Sequence, residues 1–252
     1  MRAPVRVKMC GMTRETDILQ AANLGVDAIG LIFYPKSKRY VSLEQAKTLL
    51  KNPPLFVSVV AVLVNPEADY VNELIQQLPI HYLQFHGEES PEFCRQFHKP
   101  WIKAIPANSG QAIEDAISRY HDAAAILLDT PCGDERGGSG KAFDWRIIPA
   151  QTKIPLILAG GLTPDNLCQN LETLRSALGD TFEHQCEVGD LKPHRTRTCR
   201  PERSEGSPSV STMSHASVYA VDVCSGIEQS PGIKDHNKMT QFIKTLRGND
   251  HD

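Results

Sequence analysis

Residues 57–78 read VSVVAVLVNPEADYVNELIQQL, and the two halves of this stretch follow different periods. Val57 to Leu63 is an apolar, β-branched run of strand length, as expected of a strand buried on both faces. Beyond Pro66 the apolar set Val71, Leu74, Ile75 and Leu78 recurs at i, i+3, i+4 and i+7, which is one face of a helix. Asn65-Pro66-Glu67 joins the two halves. It reads as a helix start: a capping side chain, a proline at the first helical position and an acid facing the positive end of the helix dipole.

The same grammar recurs at Ser90-Pro91-Glu92 and Thr163-Pro164-Asp165. Ser42 with Gln45 predicts a capping box, and Thr13 reads as a further cap. Strand-like runs are expected at 5–9, 28–33, 57–63, 81–85, 101–105, 124–128, 155–159 and 218–223. Strand followed by helix, eight times, predicts an α/β chain folded as a single-domain (β/α)8 TIM barrel over 1–252. A Rossmann-like open sheet is the alternative, but no G-x-G-x-x-G follows the first strand.

The strand starts are evenly spaced until the last interval, where residues 180–216 intervene. That stretch is rich in Ser, Arg, Thr, Glu and Pro and lacks apolar periodicity. It is expected to be a disordered insertion between helix 7 and strand 8. Its composition resembles translated repetitive DNA more than a selected module.

Lys and Arg number 27 against 30 Asp and Glu, a formal charge of −3, so nucleic acid is not an expected partner. No apolar run has the length of a signal peptide or membrane span, so the chain is expected to be soluble and cytoplasmic. The seven cysteines are scattered without C-x-x-C spacing, which argues for reduced thiols rather than a disulfide framework. The His and Cys residues of the insertion lack zinc spacing, so no metal is expected.

In a barrel of this type, functional groups collect at the C-terminal ends of the strands. Strand 1 ends in Cys10, which could be core filler, a metal ligand or a catalytic group. The loop after strand 2 carries Lys36, Lys38 and Arg39. Strand 4 ends at His86 and strand 6 at Asp129. Strand 7 runs into AGGL with Gly160 and Gly161, and strand 8 into Asp222, Ser225 and Gly226. The last two turns are small enough for backbone N–H groups to approach a phosphate. The loop over 130–141 reads as a mobile lid, with a plain surface loop as the alternative. It is not a Walker A loop, because Glu135 and Ala142 stand where that motif needs Gly and Ser or Thr.

Taken in order, VKMCGMT (7–13), FYPKSKRYVS (33–42), LQFHGEE (83–89), LLDT (127–130), GGSGKAFDW (137–145), AGGLTPDN (159–166) and AVDVCSGIE with PGIKD (220–235) resemble the motifs of the phosphoribosylanthranilate isomerases of tryptophan biosynthesis. The resemblance covers the chain except the insertion. It implies an Amadori rearrangement of a small phosphoribosyl substrate, with no cofactor. It also implies Cys10 as general base and Asp129 as general acid. Lys8, Arg39, His86 and Asp222 would line the substrate pocket, and Gly160, Gly161, Ser225 and Gly226 would hold the phosphate. Arg39 would take the anthranilate carboxylate, since a guanidinium fork matches that group. Lys8 shares strand parity with Cys10 and is expected to help hold a thiolate there. Pairing of Lys8 with Asp222 stands beside substrate contact as an alternative. Cys224 occupies a position where this family usually has Ser, and the glycine pair lacks the preceding Ser that is also common.

Other phosphate-binding barrels with Lys/Glu or paired Asp chemistry fit less well, since strand 1 ends in a thiol. A binding protein that uses the basic insertion is the alternative from another class. A monomer is expected, with a homodimer as the alternative. Loop closure costs only about 0.6 kcal/mol per doubling of length. Deleting about 181–215 should therefore leave kcat unchanged and raise Tm slightly; lost turnover in the deleted chain would give the insertion a role.

Overall fold

The computed structural model describes residues 5–130, 143–178, 215–216 and 218–247. Eight parallel strands close on themselves: β1 (Arg6–Cys10), β2 (Ala28–Ile32), β3 (Ser58–Leu63), β4 (Tyr82–Phe85), β5 (Trp101–Pro106), β6 (Ala125–Asp129), β7 (Leu156–Leu158) and β8 (Val218–Val223). Each strand neighbours the next in chain order, and β8 closes the ring on β1 with Lys8 opposite Asp222 and Met9 opposite Val223. The expected closed barrel is the fold observed.

Side chains alternate across each strand, so one set fills the barrel and the other faces the helices. Val60, Ile102, Ala104, Ala125, Leu127, Ile157, Ala159 and Ala220 form the inner cluster. The opposite parity, including Val7, Met9, Ile29, Leu31, Val59, Ala61 and Leu63, builds the larger outer core against the helices. Cys10, Gln84, Asp129 and Asp222 have the inward parity and stand at the strands' C-terminal ends.

Helices α1 (Glu15–Asn23), α2 (Leu43–Leu49), α3 (Ala68–Gln77), α4 (Pro91–Arg95), α5 (Gly110–Arg119), α6 (Pro164–Leu178) and α7 (His236–Arg247) cover the strands. Ser42 and Gln45 form the expected capping box. Ser90 Oγ accepts from Phe93 N at 3.2 Å, ahead of Pro91. Thr163 Oγ1 accepts from Asn166 N, while Asn166 Oδ1 accepts from Thr163 N at 2.9 Å.

Two expected caps are differently employed. Asn65 has φ +45° and serves the next loop instead: its N–H meets Glu89, and its Oδ1 accepts from Glu88 N at 2.7 Å. Helix α3 therefore starts two residues later than the motif suggests, after Glu67. Thr13 donates to the carbonyl of Gly232, and Arg14 precedes α1 without a capping side chain. The described residues between β6 and β7 hold a 3-10 turn at Trp145–Ile147 and a two-residue strand at Gln151–Thr152, not the eighth α-helix that strict alternation predicts. The lid expected at 131–141 lies outside the described residues. So does the insertion expected at 180–216, apart from His215–Ala216, which pair antiparallel with Gln151–Thr152. No helix among the described residues is long and apolar enough to cross a membrane.

A buried knot ties the upper ends of β3, β4 and β5. Lys103 Nζ reaches Glu89 Oε2 at 3.0 Å and the Gly87 carbonyl at 2.6 Å, while Glu89 accepts from Asn65 N and Gly87 N. Both charged side chains are 2 % exposed, so removing one strands the other in a dry site. Lys103→Met should cost about 3 kcal/mol, read as a lower urea midpoint at unchanged slope. An unmoved midpoint would show that the knot adds nothing.

Candidate active site

The register between β1 and β8 sets the floor of the mouth. Lys8 and Asp222 face each other on adjacent strands and join at 2.8 Å, both nearly fully buried. Of the two readings left open for them, pairing is what the structure holds. Burial opposes charge on Lys8, but Asp222 and Cys10 outweigh it and raise the ammonium's pKa. Burial pushes the Asp222 carboxyl up to about 7 against the pull of Lys8. Asp222 Oδ1 finds no hydrogen-bond partner among the described residues, so it remains able to accept from a ligand.

Cys10 ends β1 on the same inward face. Gly30 on β2 makes room for it: a Cβ there would lie 2.7 Å from the Cys10 sulfur. On the other side the Cys10 thiol meets Cys224. That contact and burial push the Cys10 thiol well up, and Lys8 only partly offsets them. The Cys10 contact draws Cys224 down to about 7, helped by Lys234 and Arg39 against burial. Lys8 acts on Cys10 in the expected direction, lowering its pKa, and is outweighed by Cys224 and burial. Of the two thiols, Cys224 is the more acidic.

Arg39 lies across Gly11, whose φ of +74° leaves no room for a side chain: a Cβ would meet Arg39 Cδ at 2.7 Å. Arg39 Nε and Nη2 grip the two Glu228 oxygens at 2.8 and 2.7 Å, and Lys234 Nζ joins Glu228 at 2.9 Å. One edge of the guanidinium is therefore held by the protein, and the edge carrying Nη1 is left for a ligand. Burial works against ionised Glu228, but Arg39 and Lys234 overcome it and lower its pKa.

Across the mouth, His86 Nε2 lies 3.2 Å from Asp129 Oδ2, and Gln84 Nε2 lies 3.2 Å from His86 Nδ1. An amide nitrogen only donates, so Nδ1 accepts and the imidazole proton sits on Nε2, facing Asp129. Asp129 Oδ1 accepts from Thr130 N at 2.9 Å. Gly160 presses on this corner; with φ +84°, a Cβ there would stand 2.6 Å from Asp129 Oδ1.

Gly161, Ser225 and Gly226 come together around a cavity of about 320 Å³ that Thr163, Pro164, Asp165, Lys238 and Gln241 also line. The first turn of α6 opens onto it, where unpaired N–H groups favour an anion. Gly226 permits the close approach of the two loops, since its Cβ would overlap the Leu162 carbonyl at 1.8 Å. Gly160, next to Gly161 along the chain, packs against Asp129 and Thr130. The sequence reading missed Lys238, Gln84, Glu228 and Lys234, and treated Cys224 only as a lost hydroxyl. Strand parity could have found Gln84, two residues before His86, and Cys224, two after Asp222.

The family model for N-(5′-phosphoribosyl)anthranilate (PRA) isomerase matches residues 7–181. An N-(5′-phosphoribosyl)anthranilate isomerase of Legionella pneumophila (strain Paris) is 50% identical over 244 residues, covering 97% of this chain and 98% of the relative. The crystal structure of the phosphoribosyl anthranilate isomerase of Thermotoga maritima aligns with a TM-score of 0.74 at 32% identity, over 97% of this chain and 99% of that one. A crystal structure of phosphoribosyl anthranilate isomerase in complex with reduced 1-(o-carboxyphenylamino)-1-deoxyribulose 5-phosphate aligns with a TM-score of 0.70 at 32% identity over the same shares. With an inward thiol and carboxylate at one barrel mouth and these relatives along its length, the chain belongs to the N-(5′-phosphoribosyl)anthranilate isomerase family.

Proposed function

We propose that this chain converts N-(5′-phosphoribosyl)anthranilate to 1-(2-carboxyphenylamino)-1-deoxyribulose 5-phosphate, with Cys10 as general base and Asp129 as general acid. The observation that carries this reading is the thiol of β1 and the carboxylate of β6 on the inward face of one mouth, beside an anion-ready cavity at β7 and β8.

The phosphate is held by the backbone of Gly161, Ser225 and Gly226, with Lys238 adding charge at the cavity wall. The anthranilate carboxylate meets the free edge of Arg39, whose orientation Glu228 fixes. That leaves the ribose between Cys10 and Asp129. Holding both ends of the substrate turns the chemistry into an intramolecular event.

Asp129 delivers a proton to the ribose ring oxygen, and the C1′–O bond breaks to give a Schiff base. His86 Nε2, 3.2 Å from Asp129 Oδ2, is placed to supply that proton. Gln84 Oε1 has no partner among the described residues. Turning the amide over would let it accept from Nδ1–H of an imidazolium, the form that hands a proton on.

Cys10 then takes the proton from C2′. For this its own proton passes to the neighbouring Cys224, which leaves the thiolate on Cys10 beside Lys8. Electrons from the C2′–H bond flow to the Schiff-base nitrogen and give an enol-amine. C1′ takes up a proton as the 2′ hydroxyl becomes the ketone. Asp222 Oδ1, above its bond to Lys8, is free to accept from a ribose hydroxyl.

Turnover is measured by loss of anthranilate-type fluorescence from substrate made in situ. Cys10→Ala should lower kcat by about 100-fold or more, the scale of a positioned base. Turnover that survives this change would move the base elsewhere, and none in folded wild type would reject the isomerase reading. The pH dependence has a defined sign. As pH falls through about 7, Cys224 takes up a proton, the pair loses its thiolate, and Asp222 neutralises in the same range. The value of kcat/KM should therefore drop on the acid side of about 7, and a flat profile between about pH 6 and 9 would reject the thiol base.

A further inference from the structure

The mouth holds a second thiol that a single-base rearrangement does not demand. Strands β1 and β8 pair in register up to Met9 and Val223, and Cys10 and Cys224 are the residues that follow this last pair. Adjacent strands run about 4.8 Å apart, inside the 4.4–6.8 Å span of Cα atoms joined by a disulfide. The Cys224 sulfur sits 3.0 Å from where a Cβ on Gly11, the residue after Cys10, would be, and the contact between the two thiols is the largest influence on the acidity of each. Both are free thiols.

The surroundings suit a reactive sulfur. Lys234 Nζ stands 3.9 Å from the Cys224 sulfur, and Arg39 and Lys8 flank the pair. Cys224 is half-buried at the open end of the barrel while Cys10 lies beneath. The other described cysteines lack this setting. Burial pushes the Cys94 thiol up to about 12, and Cys168 faces the Glu172 carboxylate on α6.

We propose that Cys10 and Cys224 form an oxidant-modification site: a hydroperoxide converts the pair to a disulfide, which ties up the Cys10 sulfur and stops the rearrangement. The Cys224 thiolate attacks the peroxide. An S–O bond forms, the O–O bond breaks, and the departing hydroxide takes a proton to become water. Cys10 then attacks the sulfur of the resulting sulfenic acid. The S–S bond forms, the S–O bond breaks, and the oxygen leaves as water with the Cys10 proton. Two thiols are oxidised and one peroxide is reduced. A dithiol donor reverses the change and restores the base.

The halt in turnover rests on the assignment of Cys10 as base, whereas the cross-link does not, so the two can fail separately. The test treats reduced full-length chain with hydrogen peroxide, then measures turnover and maps the cysteine peptides by mass spectrometry. The expected result is a loss of about 100-fold, the scale of a positioned base. Dithiothreitol should recover it, and a peptide joining Cys10 to Cys224 should appear, lighter by two hydrogen atoms. Cys224→Ser, compared with its own untreated rate, should show no dithiothreitol-reversible loss. Inactivation without that joined peptide would overturn the proposal, as would the same reversible loss in Cys224→Ser. A joined peptide with full turnover would overturn both the switch and Cys10 as base. Should Cys224→Ser fail to fold, the wild-type peptide map decides alone.

Discussion

Closure of the barrel between its first and last strands is the constraint on which the mouth depends. Lys8 and Asp222 are separated by 214 positions, yet share a rung and a 2.8 Å ion pair. What stands above them is Cys10, the last residue of β1, and Cys224, the first residue past β8. A slip of one residue in this register would turn the whole set toward the helices. The buried pair is thus a device of register as much as of charge, since either ion alone would be costly in the barrel interior. Its unmatched oxygen on Asp222 also keeps one acceptor pointed into the site.

Charge at the mouth is arranged so that neighbours restrain one another. Glu228 accepts from Arg39 with both oxygens and from Lys234 with Oε1, which orders two cations that would otherwise repel. Lys234 in turn donates to the Cys224 carbonyl at 2.9 Å, so the same ammonium fixes the turn that carries the phosphate glycines. The loop after β2, the turn after β8 and the end of β1 therefore form one connected unit. Gly11 permits it by letting Arg39 cross where a side chain would stand. On the far side, Gln84, His86 and Asp129 form a separate chain, braced from below by Gly160. The Asp129 carboxyl and the Cys10 thiol sit in different electrostatic surroundings, which is what the opposed roles proposed for them require.

Much of the fold was legible because parallel strands buried on both faces leave near-continuous apolar runs, and helix starts leave Ser/Thr-Pro-acid signatures. All eight strands lie where those runs are. The misses share one cause. Asn65 has the residue type of a cap, but the loop around Glu89 outbids α3 for its side chain, and no local motif reveals such competition. Thr13 is likewise claimed by Gly232, far along the chain. At the site, strand ends and parity pointed to Cys10, Asp129 and Asp222. The Arg39–Glu228 clasp was not legible, because it joins segments separated by 189 positions through side chains rather than register. Gly160 packs against Asp129 and Thr130, a contact that its place beside Gly161 in the sequence does not reveal.

Cys224 shows how one side chain alters the chemistry of the mouth. A serine at this position could exchange hydrogen bonds with Cys10, yet it would neither hold an anion near neutral pH nor form a bond to sulfur. A thiol in the same place, among Lys8, Arg39 and Lys234, does both. It makes the base half of a pair, so the proton on Cys10 has a defined destination in the neighbouring thiol. It also brings a second oxidisable sulfur within bonding range. The gain in proton traffic and the exposure to oxidants have one origin, because both follow from a stabilised thiolate beside a free thiol. An enzyme that keeps Cys at this position accepts the two together, and the register that places Lys8 against Asp222 leaves no way to separate them.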